Sequence, residues 1–413
     1  MSGALAGIRV ADLSHVLAGP TTSMILADLG AEVIHVEPVQ GDDARRFGPF
    51  INGQSSYFIS INRNKKSMVL DLKAPEGKEV LKDLIQVSDV LLENYRPTTM
   101  ARLGFSYPEM RRVNPKIIYA SICGFGHDAL PEYATKPAYD MVAQAYSGIM
   151  SITGPEGGPP VRVGTSVGDI VAGHQAAIGI LAALRYRDQT GRGQQIDQSM
   201  VDGLVYVLEN AIVRYTVSGD VPQPLGTAHP SITPFQGFQT GDGWIVTPVG
   251  NEALWQTYCQ AIERPDLADQ PRFRTNQLRT QHRAEIIAIL QEEMSKKTTE
   301  EWMAVFEKHQ LPCSPVNTVD RVAEDPNINY RKMIVEIDQP EAGKMKIAGS
   351  PFHLSETPGE VRSPAPLLGE HTEEVLREVL GYSATRIGVL RKKRVVYTPE
   401  DLSESGSRPP EEA

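Results

Sequence analysis

The chain has 413 residues, 41% hydrophobic and 22% charged, which is ordinary soluble globular composition with length enough for two domains and a large core. Acidic residues outnumber basic ones by 51 to 41, a formal charge of −10, which argues against nucleic acid or an anionic membrane surface as the main partner. The three cysteines, Cys123, Cys259 and Cys313, lie far apart and form no CxxC pair, so neither a zinc site nor a disulfide framework is expected, no metal ligand is assigned, and a reducing compartment fits. No run of 18 apolar residues is seen, and few residues precede the first predicted strand. The expectation is a cytoplasmic protein, or a mitochondrial matrix protein if a presequence has been removed.

The first third alternates short apolar runs with amphipathic segments, the rhythm of a parallel sheet wrapped by helices. Strands are predicted at residues 8–12, 32–37, 67–72, 89–93 and 116–122, and helices at 20–29 and 75–86. Ligands on such sheets bind outside the carboxyl ends of the strands, which singles out the loops 13–20, 38–48, 94–98 and 124–139. None carries GxGxxG or GxxxxGK, so a dinucleotide fingerprint and a nucleotide P-loop are both excluded. Near the predicted strand ends stand Lys65, Lys66, Lys73, Asn94, Arg96, Arg102 and Lys136 instead. A highly phosphorylated small ligand wants such a set, and a solvated charged rim accounts for the same residues.

Residues 159–188, PPVRVGTSVGDIVAGHQAAIGILAALRYRD, read as a long apolar helix buried on most faces. Gly164 and Gly168 bracket a turn, so Asp169 falls in the first helical turn or at the N-cap, where unpaired N–H groups and the helix dipole favour an ionised carboxylate. A capping role explains Asp169 without chemistry. Gly173 and Gly179 each cost about 1 kcal/mol of helix propensity relative to Ala, which close packing or ligand approach must offset. Gly191 and Gly193 stop the helix before a strand at 194–197. From about residue 220 prolines mark a linker into a smaller α+β domain: a hairpin at 233–239 and 244–248, then helices near 252–262, 282–295 and 299–309. A strand pair at 334–338 and 345–347 and a helix at 367–382 follow, and a polar, mobile tail is expected from 396 to 413. The domain reading is a large α/β unit at 1–220 with a return at 350–395, and a small unit at 225–330.

Several stretches in order carry a resemblance: GIRVADLSHVLAGP at 7–20, LADLGAEVIHVEP at 26–38, NRNKKSMVLDLKAPEG at 62–77, DVLLENYRP at 89–97, the Asp169 segment, TGRGQQIDQSM at 190–200 and PLLGEHT at 366–372. Together they resemble the class III coenzyme A transferase family, which includes the α-methylacyl-CoA racemases. The resemblance implies a Rossmann-like parallel-sheet large domain with a smaller α+β domain, an interlocked homodimer, and coenzyme A as substrate with no tightly bound cofactor. It implies Asp169 as nucleophile. By matching position, His15, Val16 and Ala18 line the thiol end of CoA, and Leu70, Lys73, Asn94, Tyr95, Arg102 and Lys136 hold its adenine, phosphates and pantetheine. Tyr139 matches an active-site tyrosine, and Leu17 stands where formyl-CoA transferase has glutamine, which makes oxalate a poor acceptor. Residues 226–235 look most like the succinyl-CoA:glutarate branch, whose dicarboxylates need a cation. Arg45, Arg46 and His229 are the candidates for it.

Two other readings stand beside this one. A racemase needs a proton-shuttling pair, and racemases carry histidine where Tyr139 stands, a far better base at neutral pH than a phenol. A CoA-binding protein without turnover would lack the nucleophile. Asp169 is present.

Overall fold

In the computed structural model, which describes residues 3–404, the chain divides into two compact units. The first holds the residues up to Ile149, Val163–Ile212 and those from Pro326 onward, and the second holds Met150–Arg162 and Val213–Asp325. The first is built on a seven-stranded sheet: β1 (Arg9–Asp12), β2 (Glu32–Glu37), β3 (Lys65–Leu70), β4 (Val90–Glu93), β5 (Ile118–Cys123), β6 (Gln195–Ser199) and β7 (Val396–Tyr397). Their order is β7-β3-β2-β1-β4-β5-β6, with every pairing parallel except that of β7 with β3. Strands β2 to β5 are buried almost throughout, as their Val, Ile and Leu runs require when helices cover both faces.

The chain lays β2 and β3 on one side of β1 and then crosses to place β4 on the other. The reversal falls between β1 and β4, and their carboxyl ends open the crevice where such sheets bind ligands. Four helices frame it: α1 (Ala18–Asp28), α2 (Asp140–Ser147), α3 (Val167–Thr190) and α4 (Met200–Tyr206). Gly173 lets α1 and α3 touch, because a Cβ there would lie 2.8 Å from the Ala18 carbonyl oxygen and 2.9 Å from Thr21 Cβ. Thr22 Oγ1 donates to the Gly173 carbonyl at 3.0 Å across the same contact. Helix α3 stops at Gly191, whose φ of 71° is the left-handed cap expected of glycine.

Several expectations need correction. Helix α3 is not buried on most faces: Ile178 is 65% exposed, and Leu181 and Tyr186 also face outward. An 18-residue window of this 24-residue helix has mean hydropathy 1.5, long and apolar enough to cross a membrane by length and composition alone, a test that core helices also pass. The tail does not begin at 396. Val396 and Tyr397 pair with Leu70 and Val69 because two apolar residues there close the open edge of β3, and Pro399–Glu404 forms a helix tied back by Arg391 to Asp401 at 2.9 Å. Residues 405–413 of the expected tail lie outside the described residues. The hairpin Ile334–Gln339 and Gly343–Ala348 packs with Phe58 and Ile59 of the first unit, so this unit's return starts near 326 rather than 350.

The second unit has a three-stranded antiparallel sheet, Phe235–Gln239, Trp244–Pro248 and Ser314–Pro315, covered by Glu252–Ala261, Arg283–Met294 and Thr299–Lys308. Trp255, Tyr258, Trp302 and Phe306 stack in its core. Residues 150–162, read from sequence as part of the large domain, belong here.

Candidate active site

The site starts from two helix N-termini in contact. Helix α1 opens at Leu17 with no side-chain cap, and in the first turn of a helix the N–H groups have no partner within it. Gly19 allows the tight entry, since a Cβ there would fall 2.1 Å from Ser14 Cβ. Asp169 lies in the first turn of α3, four residues before Gly173 and therefore on the same helix face. Gly173 touches Ala18 and Thr21, so that face places Asp169 over the start of α1.

Asp169 has unusual electrostatics. Burial pushes its carboxyl up to about 7, and the negative charge of Asp140 adds to the shift. The helix dipole was expected to keep it ionised. Desolvation and a like charge outweigh that dipole here, and among the described residues no cation forms an ion pair with it. Asp140 is buried in the first turn of α2, where its carboxylate accepts the Gly168 N–H at 2.8 Å and the Gln144 amide at 2.7 Å. Tyr57 also faces this region: its phenol is pushed up to about 12 by burial and by the charges of Asp169, Asp42 and Asp140. Tyr139, the residue before Asp140, caps α2 and is 75% exposed.

Between β1 and α1 the loop 13–17 is tied down on both sides. His15 exchanges two hydrogen bonds with Asn94 at the end of β4, N–H to Oδ1 and Nδ2–H to carbonyl, each 2.8 Å, and its ring lies 5.1 Å from that of Tyr95. Burial holds the His15 imidazole below its usual range. Val16 takes φ of 65°, a conformation that costs a β-branched residue on the order of 1–3 kcal/mol, and its N–H donates to both oxygens of Asp42 at 3.0 and 3.3 Å.

A family model described as CoA-transferase family III matches residues 5–372. The chain belongs to CoA-transferase family III. It is 39% identical to the human succinyl-CoA:glutarate CoA-transferase over 95% of this chain and 90% of that protein, and 37% identical to the succinate–glutarate CoA-transferase of Agrobacterium fabrum over 91% and 95%. A succinyl-CoA:mesaconate CoA-transferase of Haloarcula hispanica is 37% identical over 93% of this chain and 99% of its own. The fold matches a crystal structure of a CaiB/BaiF family protein from Brucella suis with TM-score 0.81 and 34% identity, over 92% of this chain and 100% of that one. This CoA-transferase is thus an enzyme that moves CoA between an acyl-CoA and a free acid.

Within the CoA-transferase, the positions named from sequence separate into groups. His15, Val16, Ala18, Asn94 and Tyr95 come together at the carboxyl ends of β1 and β4, with Leu17 as the N-cap of α1. Lys73, Arg102 and Lys136 are exposed, and Lys136 Nζ rests 3.9 Å from the centre of the Tyr133 ring. Leu70 is 2% exposed, packed in the core beside Met68 and Val396. Lys65 and Lys66 do not rim the site. They open β3 instead of preceding it, at the amino end of a parallel strand; Lys65 is buried 3.7 Å from Asp12, and Lys66 pairs with Glu32 and Glu374. Arg45 is already engaged: it makes two 2.7 Å bonds to Glu37 and stacks 3.7 Å over Phe58. Arg46 is exposed and pairs with Asp43. His229 lies in the second unit, where its ring accepts the Ser231 N–H at 3.1 Å.

Sequence reasoning missed Tyr57, which carries no motif, and the cluster Cys123, His127 and Asp197, whose ligand atoms lie within 4.8 Å of one another. The Asp197 carboxylate accepts the main-chain N–H groups of His127 and Asp128 and holds His127 protonated, pushed up to about 10, so the trio anchors the turn after β5. Buried charges inside apolar strands, Asp12 and His35, were the signal available for a further network and went unused.

Proposed function

We propose that Asp169 is the nucleophile of a transferase that moves CoA from a dicarboxylyl-CoA, succinyl-CoA first, to a second carboxylic acid. The observation that carries this reading is a carboxylate half-withdrawn from water, with no ion-pair partner among the described residues, over the uncapped start of α1. Its carboxylate attacks the thioester carbonyl, the C–S bond breaks, and a mixed anhydride and CoA thiolate result. Thiolate attack on the aspartyl carbonyl then releases the donor acid and leaves an aspartyl-CoA thioester. The acceptor carboxylate reverses these steps and departs as the new thioester. A carboxylate in water is a poor nucleophile, and desolvation with a raised pKa makes Asp169 a better one. The N–H groups opening α1 suit the oxyanion that forms at each addition.

Loop 15–18 is the surface for the thiol end of CoA, Asn94 and Tyr95 beside it serve its pantetheine, and Lys73, Arg102 and Lys136 are the cations for its phosphates. Dicarboxylate specificity follows the names of the relatives, with Arg46 as the remaining candidate in the first unit for the distal carboxylate. A homodimer fits the apolar side chains left exposed on α3 and α4, notably Ile178, Leu181 and Tyr206, the last 82% exposed. The test is intact-protein mass spectrometry after incubation with succinyl-CoA, beside Asp169→Ala, followed by glutarate, mesaconate, oxalate or carnitine. An adduct on Asp169 discharged by dicarboxylates is the expected result. No adduct, with exchange of the α-proton of a 2-methylacyl-CoA in deuterated water, replaces the transferase with a racemase.

A further inference from the structure

Below the loop 13–17 lies a buried network that the transfer chemistry does not use. Asp12, at the end of β1, accepts the Ser14 N–H at 2.9 Å, the Ser14 hydroxyl at 2.5 Å and the Ser23 hydroxyl at 2.5 Å. Asp42 accepts the N–H groups of Ala44 and Val16. The two carboxylates are bridged by one side chain, His35 of β2, with Nδ1 3.5 Å from Asp12 and Nε2 3.5 Å from Asp42 and its ring 1% exposed. We infer that His35 is a positioning residue of the transfer reaction: clamped between Asp12 and Asp42, its ring sets the backbone of the loop 15–17 on which the thiol end of CoA is held.

The charge arrangement supports the clamp. The buried network contains three carboxylates, Asp12, Glu37 and Asp42, and three basic groups, Lys65, Arg45 and His35. Arg45 is matched to Glu37 and Lys65 reaches Asp12, so the network is neutral only when His35 carries its proton. Among the described residues Asp42 has no other ion-pair partner than His35. Neither contact closes as a hydrogen bond, so the ring joins the two carboxylates by charge, which the protonated ring carries on both nitrogens, each 3.5 Å from a carboxylate oxygen. Burial opposes the charge, and Asp12 and Asp42 more than reverse it, holding His35 up to about 9. The loop needs such support because Val16 sits in the left-handed region, which a β-branched residue leaves when its restraints relax.

The inference rests on the reading of loop 15–18 as the CoA surface, and the experiment separates the two. His35→Gln and Asp42→Asn are made in the full chain, with the double variant beside them. Hydrogen exchange at the Val16 amide is measured together with kcat and KM for succinyl-CoA and the urea midpoint. The expected result is exchange at least about tenfold faster, kcat/KM about tenfold lower in each single variant, and no further loss in the double, as for residues acting as one unit. Asparagine at 42 still accepts the Val16 N–H, so it tests the charge bridge even if His35→Gln fails to fold. A lower urea midpoint with unchanged Val16 exchange and unchanged kcat/KM overturns the inference. Faster exchange with unchanged kcat/KM keeps the clamp and removes loop 15–17 from the CoA surface.

Discussion

The first unit contains two sets of buried carboxylates, and they are treated in opposite ways. In the network below the loop, burial alone would push Asp12 up, but Lys65 and His35 more than reverse this and hold it well below the usual carboxylate range. Burial likewise opposes ionisation of Asp42, which the His35 contact and the main-chain N–H groups of Ala44 and Val16 hold low. At the start of α3, Asp169 is desolvated, has no ion-pair partner among the described residues, faces Asp140, and rises to about 7. Burial is common to both sets, so the difference lies in the partners. The structural carboxylates are given matched charge and hydrogen bonds, whereas the proposed nucleophile is left without them at some cost to the fold.

The comparison predicts opposite outcomes from the same kind of substitution. Asp169→Ala abolishes transfer, a loss of at least about 10⁴-fold in kcat as for removal of a nucleophile, checked by a coupled assay for acyl-CoA formation. Asp12→Ala strands Lys65 as a buried uncompensated cation, His35 keeping Asp42, and is expected to cost about 3–5 kcal/mol, read from urea unfolding. If Asp12→Ala leaves stability unchanged while Asp169→Ala lowers it, the contrast is wrong. Gly173→Ala is expected to cost about 1–3 kcal/mol, because the new Cβ meets the Ala18 backbone, and to lower kcat with it by moving Asp169 relative to α1.

Smaller effects sharpen the contrast through pH. With Asp169 as the proposed carboxylate nucleophile, held up to about 7, wild-type kcat is expected to fall as pH drops through about 7. Asp140→Asn removes the like charge while still able to accept the Gly168 N–H, so the acid limb of the pH–rate profile moves to lower pH. A limb that does not move shows that desolvation acts alone. For stability, the folded pKa of Asp169 lies above its unfolded value, so the native state binds the extra proton between about 4 and 7 and loses stability as pH rises through that window. Asp169→Asn is therefore expected to raise Tm at pH 8 and leave it unchanged at pH 4. His35 has the same sign in a higher window: its contribution is full below its unfolded pKa near 6.5 and is lost as pH rises through about 9.

By itself the sequence determined what depends on local pattern. Apolar runs and helical periods marked the parallel sheet. Glycine chemistry placed the stop of α3 at Gly191, and Gly164 and Gly168 put Asp169 at a helix start. Ordered motifs along most of the chain were enough to indicate the family. Only the tertiary structure decided quantities that depend on neighbours distant in the chain. Lys65 and Arg45 looked like ligand cations until the fold supplied Asp12 and Glu37, residues 53 and 8 positions away, as their partners. The last strand went unseen because Val396 and Tyr397 gain their hydrogen bonds from an edge more than 300 residues earlier, which no local propensity encodes. The ionisation of Asp169 was misjudged for the same physical reason: a helix dipole is legible in sequence, but burial and the approach of Asp140 are set when α2 and α3 pack together.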